Sequence, residues 1–227
     1  MTRAHLPTRN AAYFERLYAQ NPDPWNFTGS AYERRKYAAT LAMLGDQRFA
    51  RGLEIGCSIG VLTNRLADHC DTLLGVDIAE QALRQAAARC AGEHHVSFQR
   101  MQIPQDWPEE PFDLIVLSEI LYFLNPADIA RTAARSTASL APGGVLILVN
   151  YTEKIDEPCS GEEATEIFLR CAAPSAICVD QKRGKSFRID LLMKNDEPNI
   201  TPPRQRRARL SGSDHWSMIR DARQKKR

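Results

Sequence analysis

Three short stretches carry residue types that can hold a small molecule or move a proton. The first is Leu53-Glu54-Ile55-Gly56-Cys57-Ser58-Ile59-Gly60, with Gly56 and Gly60 four apart and Glu54 two before the first glycine. Glycine lets the chain turn tightly and lets a ligand approach the main chain. The dinucleotide pattern G-x-G-x-x-G is absent, because Ser58 stands where its second glycine would be, so a pyrophosphate cradle is disfavoured. By themselves the two glycines also fit a plain strand–turn–helix joint. The second stretch is Gly75-Val76-Asp77, its acid 17 residues after Gly60. An acid there can accept hydrogen bonds from both hydroxyls of a ribose. It can equally cap a helix that starts near Ala79, and the two roles are compatible. The third runs from Pro111 to Tyr122, an apolar strand that ends in Ser118-Glu119. A carboxylate at the mouth of a crevice needs a partner, because burying it alone is costly. Glu119 then either handles a ligand or organises nearby backbone.

The elements that must position these residues follow from periodicity. Ala11–Gln20 reads as a helix with Tyr13, Phe14, Leu17 and Tyr18 on one side, and Asn21-Pro22-Asp23-Pro24-Trp25 breaks it. A second helix is expected over 31–44, stopped by Gly45. After it, strands at 52–56, 72–76, 95–98, 113–117 and 145–150 alternate with helices at 61–69, 79–91 and 126–140, the turn Pro142-Gly143-Gly144 preceding the last of these strands. Such alternation points to βαβ units and a parallel sheet. The apolar runs 114–117 and 145–149 read as central strands covered on both faces. Beyond Tyr151 a helix is expected at 161–171, with strands at 176–180 and 187–193 joined by the basic turn 181–185. This gives three segments: 1–30, 31–194 with the alternating strands and helices, and 195–227 as a disordered tail.

At 227 residues and 43% hydrophobic, the chain can bury a sizeable core. It has no run near the roughly 20 apolar residues of a membrane span, and no apolar segment follows the initial charges, so a cytoplasmic location is the expectation. Residues 199–227 hold nine Lys/Arg against two Asp/Glu; with a whole-chain charge of +2, the body is left at −5. Arg204–Arg209 and Lys225–Arg227 could attract phosphates, but no aromatic interleaving or recognition fold accompanies them, and a solvated extension is the expectation over nucleic-acid binding. The six cysteines form no CxxC pair and read as reduced thiols. Cys90 with His94 and His95 lacks a second ligand pair at finger spacing, so no metal is expected.

Taken in order, Leu53–Gly60, Val76-Asp77, Phe112–Glu119 and Leu140-Ala-Pro-Gly-Gly144 resemble the class I S-adenosylmethionine-dependent methyltransferases over residues 30–193. Asp23-Pro24-Trp25, Tyr32-Glu33-Arg34, Ile55-Gly56-Cys57 and Ser118–Tyr122 are similar, more narrowly, to the N-methyltransferase branch around nodulation protein S. The resemblance implies an α/β, Rossmann-like fold with a seven-stranded, mostly parallel sheet whose last strand is antiparallel. It implies that Gly56, Cys57, Ser58 and Gly60 line the methionine part of S-adenosyl-L-methionine, near Glu54. Asp77 would hold the ribose, Ile78 would lie against the adenine, and Ser118 and Glu119 would sit beside the sulfonium and the acceptor. Where the family often has an adenine-binding Asp, this chain has Gln102, followed by Ile103; Gln102 can accept a hydrogen bond but carries no charge. The segment 1–30 would fold over the cofactor, with Trp25 offering an aromatic face or merely anchoring the lid, Tyr32 beside it, and Lys36 or Arg35 meeting the cofactor carboxylate.

The implied reaction is in-line methyl transfer to a small-molecule acceptor, which places the burden on positioning and exclusion of water. An amine must arrive neutral; Glu119 is the candidate to orient it and take its proton, with Tyr122 as a second partner. An amine is favoured by the resemblance alone, an amino sugar or amino-bearing oligosaccharide being the specific expectation. An O-methyltransferase, a nicotinamide-dependent oxidoreductase and a catalytically silent binding protein are the alternatives.

Overall fold

The computed structural model describes residues 6–195 of the 227-residue chain. Two helices, α1 (Ala11–Gln20) and α2 (Ala31–Leu44), precede the alternating part. Then come β1 (Phe49–Ile55), α3 (Val61–Leu66, extended by a 3-10 turn to His69), β2 (Cys70–Asp77), α4 (Glu80–Arg89), β3 (Val96–Arg100) and β4 (Phe112–Ser118). The chain continues through α5 (Pro126–Ser139), β5 (Leu140–Tyr151), α6 (Gly161–Ala172), β6 (Ala176–Arg183) and β7 (Phe187–Lys194). The seven strands form one sheet in the order β3-β2-β1-β4-β5-β7-β6. β7 runs antiparallel to both its neighbours, and the other pairings are parallel. The seven-stranded, mostly parallel sheet with an antiparallel last strand is therefore as expected.

The apolar strands explain the layering. Along β4, Leu114 and Val116 face one layer with Tyr37, Leu62 and Leu66, while Ile115 and Leu117 face the other with Ile129, Ala133, Ala164 and Phe168. Helices thus cover both faces of the central strands, so their sequence shows no alternation. Side-chain caps start α1, α2, α5 and α6: Asn10, Ser30, Asn125 and Ser160 each accept the third backbone N–H that follows. α4 has no such cap of its own; the Glu80 N–H bonds instead to the Glu15 carboxylate of α1 at 2.8 Å.

Three of the differences from the sequence expectation have a clear physical cause. β1 begins at Phe49 rather than Gly52, because the Ala50 and Arg51 N–H groups reach the Asp113 carboxylate at 2.9 and 2.8 Å and Phe49 is buried. Pro142-Gly143-Gly144 does not separate helix from strand. It is an irregularity inside β5, where Phe112 pairs with Leu140 and Leu114 already pairs with Val145. The basic turn 181–185 is mostly strand, since β6 pairs with β7 as far as Arg183. The basic segment beyond 195 lies outside the described residues.

Chain order places the crevice. From β1 the chain steps outward to β2 and β3, then returns across β1 to β4. Ligands of such sheets bind where the strand order reverses, at the carboxyl ends of the strands. Here that is the gap above Ile55 and Ser118.

Candidate functional site

A cavity of about 660 Å³ opens at this point. Its floor is the loop after β1. Both the Gly56 and Cys57 N–H groups bond to the Val76 carbonyl, at 2.9 and 3.1 Å, and the Gly60 N–H closes the turn on the Cys57 carbonyl at 2.9 Å. Gly56, Ser58 and Gly60 all have positive φ, +82°, +50° and +77°. A Cβ on Gly56 would stand 2.1 Å from Ile120 Cγ2 and 2.8 Å from the Ser118 carbonyl oxygen, so this glycine lets β1 and the β4 turn come together. One on Gly60 would strike Ala86 of α4 at 2.8 Å, backbone against backbone. Gly60 thus shapes the loop from below and is not on the cavity wall.

Asp77 closes the end of β2. One carboxylate oxygen accepts the Ser58 N–H and the other the Ala79 N–H, each at 2.9 Å. It ties the glycine loop to the start of α4, and burial raises its pKa, those backbone donors working against the rise. Glu54, on β1, is 1% exposed and its Oε2 has no hydrogen-bond partner. Burial pushes its pKa up to about 7. A buried carboxylate on a cavity wall with an unmet oxygen is suited to a cationic ligand group.

A second cluster is built around Glu119, which lines the same cavity. Its backbone is left-handed, φ +59°, in a residue that is not glycine, and its N–H bonds to the Val149 carbonyl at 2.8 Å. One carboxylate oxygen lies 2.5 Å from Lys36 Nζ and the other accepts the Tyr151 N–H at 2.8 Å, while the Tyr122 hydroxyl bonds to the same carboxylate. Lys36, only 2% exposed, also meets Glu33 at 2.9 Å. Its pKa is raised: burial alone would lower it, and the two carboxylates overcome that.

The roof comes from the N-terminal segment. Tyr18 OH and Ser58 Oγ are 2.5 Å apart, a direct bond from α1 to the glycine loop. Trp25 packs edge-on to Tyr18 and Phe123, with ring centres 5.8 and 6.3 Å apart. Arg9 Nε lies 2.6 Å from Glu157, and the Tyr13 hydroxyl donates to the same carboxylate at 2.9 Å. These contacts fasten the segment to the loop between β5 and α6.

Of the residues singled out from sequence, Trp25, Tyr32, Lys36, Glu54, Gly56 and Cys57 line this one cavity. So do Ser58, Asp77, Ile78, Ile103, Ser118, Glu119 and Tyr122. Gln102 does not; its N–H bonds to Asp106, and Met101 and Ile103 stand on the wall at either side of it. Lys36 and not Arg35 turns inward, for Arg35 is exposed. Tyr32 donates its hydroxyl to the Ser186 carbonyl at 3.0 Å. Sequence reasoning passed over Glu33, Tyr37, Tyr18 and Glu157. A signal existed for the first two: Glu33, Lys36, Tyr37 and Thr40 recur at three and four residues along α2 and all are buried. No cluster that could hold a metal ion occurs among the described residues, and none of their helices is long and apolar enough to cross a membrane.

Strand order, glycine loop and crevice acids define the fold of a class I S-adenosylmethionine-dependent methyltransferase. The crystal structure of the N-methyltransferase NodS from Bradyrhizobium japonicum WM9 in complex with S-adenosyl-L-homocysteine superposes with a TM-score of 0.70 at 27% identity, covering 82% of this chain and 99% of that one. The family model for nodulation protein S (NodS) matches residues 9–184, and the chain belongs to that family. Nodulation protein S of Sinorhizobium fredii is 30% identical over 186 residues, 79% of this chain and 85% of that protein. Its counterpart in Rhizobium tropici is 35% identical over 127 residues, 55% of this chain and about half, 53%, of the relative's length.

Proposed function

We propose that this protein transfers a methyl group from S-adenosyl-L-methionine to the amine of a small acceptor, an amino sugar being the best candidate. The observation that carries the reading is one cavity whose wall brings together Glu54, the glycine loop, Asp77 and the Lys36–Glu119 pair. The residues fit the cofactor: the unmet Glu54 oxygen suits its ammonium, and the Asp77 carboxylate faces the same cavity for ribose hydroxyls. When bound, the cofactor supplies an activated methyl group on a positively charged sulfur.

The chain's own residues then have three tasks. Trp25, Tyr18 and Phe123 cover the cavity and exclude water, with residues 6–30 acting as the lid. Glu119, held by Lys36, Tyr151 and Tyr122, fixes the acceptor nitrogen in line and accepts its proton. Two carboxylates around one lysine make this part of the cavity negative, which favours an amine over a hydroxyl, as does the N-methyltransferase name of the Bradyrhizobium relative. Cysteines such as Cys57, Cys70 and Cys90, buried as free thiols, agree with a cytoplasmic protein.

The test is ligand stabilisation. S-adenosylhomocysteine should raise the melting temperature and NADH should not, because only a ligand of the native state stabilises it by mass action. Stabilisation by NADH alone would overturn the reading. The pH dependence should follow Glu54. Its folded pKa, about 7, lies above the ordinary 4.5, so its contribution to the stability of the free protein is full below pH 4.5 and fades as pH rises through 7. A ligand ammonium prefers the ionised carboxylate. Affinity for S-adenosylhomocysteine should therefore climb as pH rises towards 7 and then level off, with proton release measurable by calorimetry in buffers of different ionisation enthalpy. A flat profile in Glu54→Gln would assign the effect to that residue.

A further inference from the structure

Glu33 helps to make the Glu119 part of the cavity negative, and it is 5% exposed beside Lys36 and Glu119. Its two oxygens lie 3.0 and 2.9 Å from Lys36 Nζ, and Lys36 in turn lies 2.5 Å from Glu119. One ammonium therefore serves two carboxylates. The charged and titratable groups facing this trio come from every neighbouring element. α2 contributes the Tyr32 and Tyr37 rings, 5.1 and 5.8 Å from Nζ, with the Tyr37 hydroxyl bonded to Glu33. β1 contributes Glu54, the segment after β4 contributes Tyr122, and the end of β5 contributes Tyr151 and, just beyond it, Glu153. α3 contributes Arg65, which lies 5.5 Å from the far ring of Tyr37 and off the cavity wall. Among the described residues the wall carries one other cation, Arg9, and Glu157 already holds it at 2.6 Å.

With all three groups ionised the trio carries one negative charge more than it balances. Burying an excess charge is unfavourable, and burial indeed raises the pKa of Glu33. Glu33 lies in the first turn of α2, where the helix dipole favours an acid, but that alone leaves the excess charge of the trio in place. The trio adjoins the glycine loop: Ser118, next to Glu119, brings its carbonyl within 2.8 Å of where a Gly56 Cβ would stand. We propose that Glu33 is a positioning residue which, through Lys36, leaves the Glu119 part of the cavity with one uncompensated negative charge, and that this charge makes the protein favour the sulfonium cofactor over its neutral thioether product. The inference rests on the methyltransferase reading above. It gives the buried acid a task in turnover: methyl transfer removes the positive charge from sulfur, the attraction lapses, and product exchanges for fresh cofactor.

The experiment is calorimetric titration of S-adenosylmethionine and S-adenosylhomocysteine at pH 8 and low salt, with no acceptor present. Glu33→Gln should weaken S-adenosylmethionine by about tenfold, the order expected for one unit charge roughly 12 Å away at an effective dielectric near 20, and leave S-adenosylhomocysteine nearly unchanged. Glu33→Asp should keep the wild-type ratio of the two affinities. The double variant Glu33→Gln/Lys36→Met removes one charge of each sign and so restores the excess, and with it the preference. Loss of both ligands in parallel, an unchanged ratio in Glu33→Gln, or no recovery in the double variant would each overturn the proposal. Wild-type protein that binds neither ligand would instead overturn the methyltransferase reading, and this inference with it.

Discussion

Glu119→Gln should reduce methyl transfer to an amine by roughly 10²–10⁴-fold, the usual worth of a positioned general base, while S-adenosylhomocysteine affinity barely moves. The variant keeps the size of the side chain and its ability to accept from the Tyr151 N–H, now 2.8 Å away, but it loses the charge and the basicity. Lys36 retains Glu33 as a partner, so the buried ammonium is not orphaned and the fold should survive. The kinetic split tells the roles apart. A base lost from the transition state lowers kcat, whereas a lost orienting contact raises the acceptor KM. If S-adenosylhomocysteine affinity falls along with the rate, Glu119 supports the cofactor pocket. Unchanged kcat and KM would remove it from the reaction. Acceptors for the assay are found by screening amino sugars with labelled cofactor.

The second large effect is expected at Asp77. Asp77→Ala removes a carboxylate that already accepts two backbone N–H bonds, from Ser58 and Ala79. Two losses should therefore appear together. Cofactor affinity should fall by about 10- to 100-fold, since charge-assisted bonds to hydroxyls contribute roughly 1.5–3 kcal/mol. The free protein should also melt a few degrees lower, because an unmet backbone donor costs about 1–3 kcal/mol. Asp77→Asn separates the two, as its amide oxygen can still accept one N–H while the charge is gone. Calorimetry showing full affinity in Asp77→Ala would reduce the residue to a brace for the loop.

Much of this architecture is legible in the chain. β4 and β5 announce themselves because both faces are buried, and the acids Asp77 and Glu119 fall at strand ends, where the crevice must be. What escapes the sequence depends on contacts between distant residues. The early start of β1 is set by Asp113, some sixty positions later, which no local pattern reports. Pro142-Gly143-Gly144 has the composition of a turn but is drawn into β5 by pairing with β4. On the cavity wall, alternation decides between neighbours: Met101 and Ile103 stand on it and Gln102 does not, a distinction a motif alignment cannot make. Glu33 and Lys36, three apart on a helix, have the look of a solvent-facing ion pair; only the burial of α2 turns them inward. Tyr18 and Ser58 are forty positions apart, and their bond has no sequence signature.

The borrowed cap on α4 gives the proposed lid a thermodynamic floor. Lifting α1 away breaks the Glu15 bond and leaves the Glu80 N–H without its acceptor, a loss typically of about 1 kcal/mol for a missing cap. Opening therefore carries a penalty before any ligand contact is counted, and part of it falls on the helix that packs beneath Gly60. Closure of the proposed lid and firmness of the glycine loop become linked quantities: whatever steadies one must, by reciprocity, steady the other by the same free energy.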